Sequence, residues 1–251
     1  MIGLPTLETL RGAYKDAKIV LHFSGGKDST ATLLLMLQNG IVPDKTLFVD
    51  TTKEFPDMYT HIAEVESLTG IKVDKVAIDF DYWFSEHVKT KGVNRGKSGY
   101  GFPDHRNRWC TALKRDTAAR VVRSLSGPVI EVLGIAADER DRALSNADRG
   151  RILAYPLIDY NITEEAALSL CYSNGLYYSG LYQKLTRVSC WCCPLKKIGE
   201  LRTIYREFPA LWDELLLMES KSYRRFRSDY SVTQLTERFS NETNNPELPR
   251  P

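Results

Sequence analysis

Lys18-Ile19-Val20-Leu21-His22-Phe23-Ser24-Gly25-Gly26-Lys27-Asp28-Ser29-Thr30 decides how this 251-residue chain is read. The first half is an apolar run rich in β-branched residues, the pattern of a strand covered on both faces. It breaks at two glycines and restarts as Thr30-Ala31-Thr32-Leu33-Leu34-Leu35-Met36-Leu37, a strong helix former ending at Asn39-Gly40. A strand, a tight glycine turn and a helix N-terminus make an anion site. Glycine lets main-chain N–H groups approach a phosphate, and the helix dipole favours its charge. Ser24 and Ser29 add hydroxyl donors, Lys27 adds a point charge, and Asp28 can help hold Mg²⁺. The spacing differs from the G-x-x-x-x-G-K-[ST] loop of common NTPases.

Outward from this stretch, strands and helices alternate. A short amphipathic helix is expected within residues 1–16. Further strands are expected at Thr46–Asp50, Lys72–Ile78, Val129–Ile135 and Ile152–Leu157, and a helix from Pro56 to about Leu68. The expectation is an α/β fold: a parallel five-stranded sheet flanked by helices, Rossmann-like, with a helical C-terminal extension. The boundaries read as a nucleotide-binding domain over 1–160, a cysteine-motif and helical region over 161–240, and a disordered tail over 241–251. Two polar loops follow strands, Asp50-Thr51-Thr52-Lys53-Glu54-Phe55-Pro56 and Gly134 to Arg142, so both are expected to face the crevice of the glycine loop. Asp50 and Thr51 are candidate nucleotide contacts, and Arg140 or Arg142 a phosphate or ribose contact.

With 43% hydrophobic and 26% charged residues and a net charge of +2, the composition is that of a globular protein, so any basic patch is local. No apolar run reaches the roughly 18 residues of a membrane span, and the N-terminus lacks a signal-peptide core; a cytoplasmic protein without membrane contact is expected. Residues 89–108 hold Lys89, Lys91, Arg95, Lys97, His105, Arg106 and Arg108 against one acid, Asp104. With glycines at 92, 96, 99 and 101, they read as a mobile basic loop, a lid or clamp for a polyanion. Lys221 to Arg227 is basic with interleaved aromatics, a further candidate nucleic-acid contact.

Five cysteines are present. Cys171 reads as a small core residue on a helix capped by Thr163. Cys110 stands apart from Cys190, Cys192 and Cys193, and four thiolates drawn from two places suit either structural zinc or a [4Fe–4S] cluster. The one-plus-three split favours the cluster, with Zn²⁺ as the alternative.

The Ser24–Ser29 hexapeptide resembles the pyrophosphate loop of the PP-loop ATP pyrophosphatases, which cleave ATP between its α- and β-phosphates. Together with Asp50–Pro56, Arg108-Trp109-Cys110 to Lys114, and Leu181-Tyr182 through Cys190-Trp191-Cys192-Cys193-Pro194, it resembles the phosphoadenosine phosphosulfate (PAPS) reductase family. That family includes adenylyl-sulfate reductases and the ATP pyrophosphatases of DNA phosphorothioation. The resemblance covers roughly residues 17–200 and implies an adenine nucleotide alpha-hydrolase-like sheet and a cluster at Cys110, Cys190, Cys192 and Cys193, ligated by all four or by three with one iron left open. Two departures matter: Trp109 takes one position of the family's first cysteine pair, and Cys192 is an extra thiol, open to a chemical role. The reductases' tail Glu-Cys-Gly-Leu-His motif has no counterpart after Cys193, whereas the glycine loop, degraded in those reductases, is intact here.

The resemblance thus implies an ATP-dependent sulfur-transfer enzyme, with an acceptor activated as an adenylate, releasing pyrophosphate. Lys27, Asp28, Lys114, Arg140 and Cys192 are its candidate catalytic residues, and Ser24, Gly25, Gly26, Lys27, Asp28 and Ser29 its ATP–Mg²⁺ site. A reductase releasing sulfite from an adenylyl-sulfate type nucleotide is the alternative, and a nucleotide-binding module with structural zinc the third. Expected partners are a sulfur or electron donor protein, a nucleic-acid acceptor and a second copy in a homodimer.

Overall fold

The computed structural model describes residues 4–145 and 150–244. In chain order these form α1 (Leu7–Ala13), β1 (Lys18–His22), α2 (Lys27–Gln38), β2 (Lys45–Asp50), α3 (Pro56–Thr69), β3 (Val73–Ala77), α4 (Trp109–Arg123) and β4 (Val129–Leu133). There follow α5 (Arg140–Ser145), β5 (Ile152–Ala154), α6 (Pro156–Asp159), α7 (Glu164–Ser173), α8 (Leu181–Lys184), α9 (Ile198–Glu207), α10 (Pro209–Lys221) and α11 (Val232–Asn244). The five strands make one parallel sheet in the order β3-β2-β1-β4-β5, as the alternation predicts. Chain direction across the sheet reverses between β1 and β4, and open α/β sheets place ligands outside the strand ends at such a switch point. The loops leaving β1 and β4 lie there.

The described chain forms two compact units woven from alternating segments, whereas the sequence expectation set one boundary near residue 160. The first unit holds residues up to Asp50, then Pro56–Ile78 and Lys114–Leu181; the second holds Thr51–Phe55, Asp79–Leu113 and the chain from Tyr182 onward.

In the first unit, Val20 and Leu21 of β1 are fully buried, as their β-branched and apolar run requires. Val20 packs with Leu47 and Ala118, and α2 is buried along most of its length. One charge network crosses the sheet. Glu131 of β4 accepts from His22 Nε2 at 2.7 Å and from Arg151 Nε and Nη2 at 2.7 and 2.6 Å. Burial raises the Glu131 pKa, but bonds from His22 and Arg151 outweigh it and hold the carboxyl at about 2. The fifth strand is shorter than expected, because Pro156 opens a helix turn where continued strand was read.

The second unit is organised by its C-terminal helices. Tyr205, Trp212 and Phe239 from α9, α10 and α11 meet with ring centroids 5.4–5.7 Å apart, and Trp212 Nε1 donates to Thr236 Oγ1 at 2.9 Å. Glu219 accepts from the Val232 and Thr233 N–H groups, supplying a carboxylate to the N-terminus of α11. This corrects the expected disordered tail, since α11 runs to Asn244 and Glu242 takes bonds from Arg202 (2.6 and 3.1 Å) and Arg238 (3.1 Å). Residues 245–251 of that tail lie outside the described residues. No described helix is long and apolar enough to cross a membrane.

Candidate functional site

The glycine loop has the form its sequence requires. Gly25 adopts φ +77°, open to glycine at no steric cost, and Gly26 leads into α2 at Lys27. The loop is closed on itself by its serines. The Ser24 N–H donates to Ser29 Oγ at 3.2 Å, the two hydroxyls stand 3.1 Å apart, and Ser29 Oγ donates to the Gly26 carbonyl at 2.9 Å. The loop after β4 presses against it: a Cβ on Gly134 would fall 2.8 Å from the backbone of Asp28 and Ser29. The two polar loops after β1 and β4 therefore meet, as read for the Gly134–Arg142 loop.

Lys27 is buried, and its ammonium donates to Glu164 at 2.7 Å and to both Asp28 oxygens at 3.2 Å. Burial lowers the Lys27 pKa, but the bonds from Glu164 and Asp28 win and leave it raised. The Asp28 carboxyl is pushed up by burial against the pull of Lys27. Glu164 is a participant that sequence reasoning read only as part of a helix cap. It opens α7 behind the Thr163 cap, and its own N–H donates to Asp138 at 3.1 Å.

Beneath the loop lies an uncharged buried chain of contacts. Thr30 Oγ1 reaches the Gly25 carbonyl at 3.4 Å and His61 Nε2 at 3.1 Å; His61 stacks on Tyr178 with centroids 3.8 Å apart. The Tyr178 hydroxyl donates to Cys171 Sγ at 3.2 Å, and that thiol donates to the Lys27 carbonyl at 3.5 Å. Burial drives the His61 pKa down to about 4 and the Cys171 thiol up to about 11, so both are neutral near pH 7. His61 Nδ1 has no hydrogen-bond partner, and Glu64 stands 4.0 Å away. Tyr178 and Ser179 take the left-handed conformation consecutively (φ +55° and +50°), strain held by this packing. Cys171 is thus the core residue expected, with the added part of fastening the loop.

In the second unit, Cys190, Cys192 and Cys193 share one tight turn, closed by the Cys193 N–H donating to the Cys190 carbonyl at 3.2 Å. The Cys190 thiol donates to Glu54 Oε1 at 3.4 Å and lies 3.4 Å from Thr51 Oγ1, and the Trp191 N–H donates to the Lys53 carbonyl. Thr51, expected at the nucleotide, therefore turns its side chain to the cysteine segment. Burial, then the charges of Cys190 and Cys193, raise the Cys192 thiol well above its ordinary pKa, with Lys53 opposing. Two buried ammoniums stand in this unit: Lys53, held by Glu214 (2.8 Å) and Asp81 (3.1 Å), and Lys196, bonded to the Arg187 carbonyl (3.2 Å) and Ser189 Oγ (3.3 Å). Burial lowers the Lys196 pKa, while Glu200 and all three nearby thiols work against that.

A thiolate-bound metal needs three or more donors turned to one point. The donor chemistry here fits, with grouped thiols beside buried cations. Among the described residues no three His, Cys, Asp or Glu side chains already stand as a metal-binding group. Cys110, half-buried in the first turn of α4, belongs to the same unit.

Of the remaining candidates, Asp50 ends β2 and its Oδ1 accepts from the Tyr59 hydroxyl at 2.9 Å. Lys114 is half-buried in α4, and Arg140 is exposed at the start of α5. The arginines of the 221–227 stretch are engaged internally: Arg224 with Asp104, Arg225 with the Ser228 and Asp229 carbonyls, Arg227 with Asp229 and the Pro194 carbonyl. A cavity of about 260 Å³ opens at the far end of α2, lined by Arg11, Met36, Asn39 and Tyr160; it is not the glycine loop.

The family model for the phosphoadenosine phosphosulfate reductase domain matches residues 18–196. The uncharacterized protein MJ0066 of Methanocaldococcus jannaschii is 28% identical over 221 residues, which is 82% of this chain and 42% of that protein, so the chain spans less than half of its relative. Among solved structures, the U34-tRNA thiolase NcsA from Methanococcus maripaludis with its [4Fe–4S] cluster is 14% identical at a TM-score of 0.46, covering 92% of this chain and 72% of that one. So distant a likeness carries no inference about chemistry.

Proposed function

This chain belongs to the phosphoadenosine phosphosulfate reductase domain family, and from that premise we propose that it uses ATP to convert an acceptor oxygen to an adenylate and then replaces that oxygen with sulfur. The observation that carries the reading is the intact loop from Ser24 to Ser29, closed by its own serines at the N-terminus of a buried helix. A loop of this form holds a polyphosphate on main-chain N–H groups, which favours ATP itself over a nucleotide already stripped of pyrophosphate.

In this reading Gly25, Gly26 and the Ser24 and Ser29 hydroxyls hold the β- and γ-phosphates. Lys27 exchanges Glu164 for phosphate oxygen, and Asp28 helps hold Mg²⁺. The acceptor oxygen attacks the α-phosphorus and pyrophosphate departs; Lys114 and Arg140 are the cations assigned to the α-phosphate charge. Hydrosulfide sulfur then attacks the acceptor carbon, and AMP leaves with the original oxygen. Cys110, Cys190, Cys192 and Cys193 would hold the metal group, with Cys192 a ligand rather than a free nucleophile. When bound, a cluster supplies a site for delivering sulfide or electrons. Lys53 and Lys196 supply positive charge beside the three-cysteine turn, Lys53 opposing the effect of burial on the Cys192 thiol.

The test is an anaerobic assay following AMP, pyrophosphate and sulfite together. AMP and pyrophosphate from ATP support the reading. Sulfite from adenylyl sulfate or PAPS, without ATP cleavage, would replace it with the reductase; none of the three would leave a binding module.

A further inference from the structure

Residues 88–103 carry four cations, Lys89, Lys91, Arg95 and Lys97, and no Asp or Glu. Where the sequence reads a mobile loop, the structure holds a hairpin. An antiparallel bridge joins Val88 to Ser98, the Lys89 N–H donates to the Lys97 carbonyl at 3.0 Å, and the Gly96 N–H donates to the Lys89 carbonyl at 2.8 Å. Its base is seated on a π-turn over Tyr82–Glu86. There the Tyr100 N–H donates to the Trp83 carbonyl at 2.9 Å, and a Cβ on Gly99 would fall 2.1 Å from the Phe84 carbonyl oxygen.

Several other cations of this unit have carboxylate partners: Lys53 with Asp81 and Glu214, Lys184 with Glu207, Arg202 and Arg238 with Glu242, Arg224 with Asp104, Arg227 with Asp229. Lys91, Arg95 and Lys97 are exposed and make no ion pair among the described residues. Between them Val93 stands wholly in solvent, at 101% relative exposure. Beside the hairpin lie flat rings. Trp83 and Tyr100 stack at 5.9 Å, Tyr82 meets Trp83 edge-on at 5.5 Å, and Tyr82 and Tyr223 are each 41% exposed. Lys89 and Lys97 sit 4.6 and 4.9 Å over the Tyr223 ring, and Lys89 also bonds its hydroxyl. Unpaired cations suit phosphates, exposed rings suit base faces, and an aliphatic tip suits an unstacked base step. An anionic lipid surface would also meet the charge, so vesicle binding is an arm of the test.

We propose that this hairpin is a finger for single-stranded nucleic acid, with Lys91, Arg95 and Lys97 on successive phosphates, Tyr82 under a base, and Val93 against an unstacked base. This deepens the sulfur-transfer reading, on which it rests, by making nucleic acid the acceptor class.

The experiment is fluorescence anisotropy of a labelled single strand of about 20 nucleotides, as RNA and as DNA, titrated with the full chain across a salt series without ATP. Three phosphate contacts predict a log–log salt slope of about −2. Replacing Lys91, Arg95 and Lys97 together by Glu should weaken binding more than about tenfold and flatten that slope, and the triple Gln variant should do so less. Val93→Ser should weaken binding a few-fold at unchanged slope. Because these side chains are exposed and make no ion pair among the described residues, the melting curve should move little, by no more than the loss of the Lys97 contact with the Tyr223 ring. Salt-independent or absent binding by the unaltered chain, unchanged binding by both triple variants, or a preference for phosphatidylserine vesicles over both strands overturns the finger. The assay uses no nucleotide hydrolysis, so binding without AMP formation would sink the catalytic reading alone, and AMP formation without binding would sink the finger alone.

Discussion

At the glycine loop, attraction for negative charge comes from backbone: a helix N-terminus, a left-handed glycine, and serines that close the turn. What lies beneath it is buried, with His61 and Cys171 uncharged near pH 7 and Tyr178 packed between them. At the cysteine turn, the donors are themselves the negative groups, and the answer is side-chain charge, Lys53 and Lys196 buried nearby. A phosphate site can be complete before its ligand arrives, because the partial charges of main-chain N–H groups repel far less than full charges and the backbone holds them in place. A thiolate site cannot, because grouped anions repel until a cation joins them. The loop is accordingly closed and cross-braced, while the described thiols do not already stand as a metal-binding group.

Lys27 tests that contrast hardest. Lys27→Met should lower kcat/KM for ATP-dependent pyrophosphate release by about a thousandfold, roughly 4 kcal/mol. A loss under tenfold would mean that the backbone alone suffices.

Acid should undo the neutral bracing next. His61 has a folded pKa of about 4 against 6.5 when free, so between those values the unfolded chain binds more protons. Stability should therefore be full above about pH 6.5 and fall by up to about 3 kcal/mol as pH drops to 4. Urea midpoints across that range check it, and His61→Gln should remove most of the dependence.

At the cysteine turn, Lys196→Met should lower the affinity for reconstituted iron about 10- to 100-fold, read by chelator competition under anaerobic conditions. Unchanged affinity would make that ammonium a structural prop only. The smallest effect is expected at Thr163, whose hydroxyl accepts from the Ala166 N–H at 3.2 Å. Thr163→Ala should cost about 1 kcal/mol in thermal unfolding and loosen Glu164 at the helix start.

What was legible in the sequence was local. Gly25, Gly26 and the apolar run before them fix strand, turn and helix within 13 residues, and the same logic placed the other strands. The contacts that escaped join residues far apart: Glu164 to Lys27, Cys171 to the Lys27 carbonyl, Thr51 to Cys190. No spacing rule carries such pairs, because packing of whole helices decides them. One miss had a signal: the acid-free run from 88 to 103 marks the hairpin. In α11, Val232, Leu235 and Phe239 recur at helical spacing inside the region expected to be helical to residue 240, and the helix runs on to Asn244.

The Glu164 carboxylate on Lys27 has one more consequence. The loop already contains an internal rival for its visitor, so a weakly charged anion such as chloride or bicarbonate gains little by entering. On the proposed reading, a multiply charged chain of phosphates would bring enough attraction to displace the rival, and the loop would discriminate by valence before any base or sugar is read.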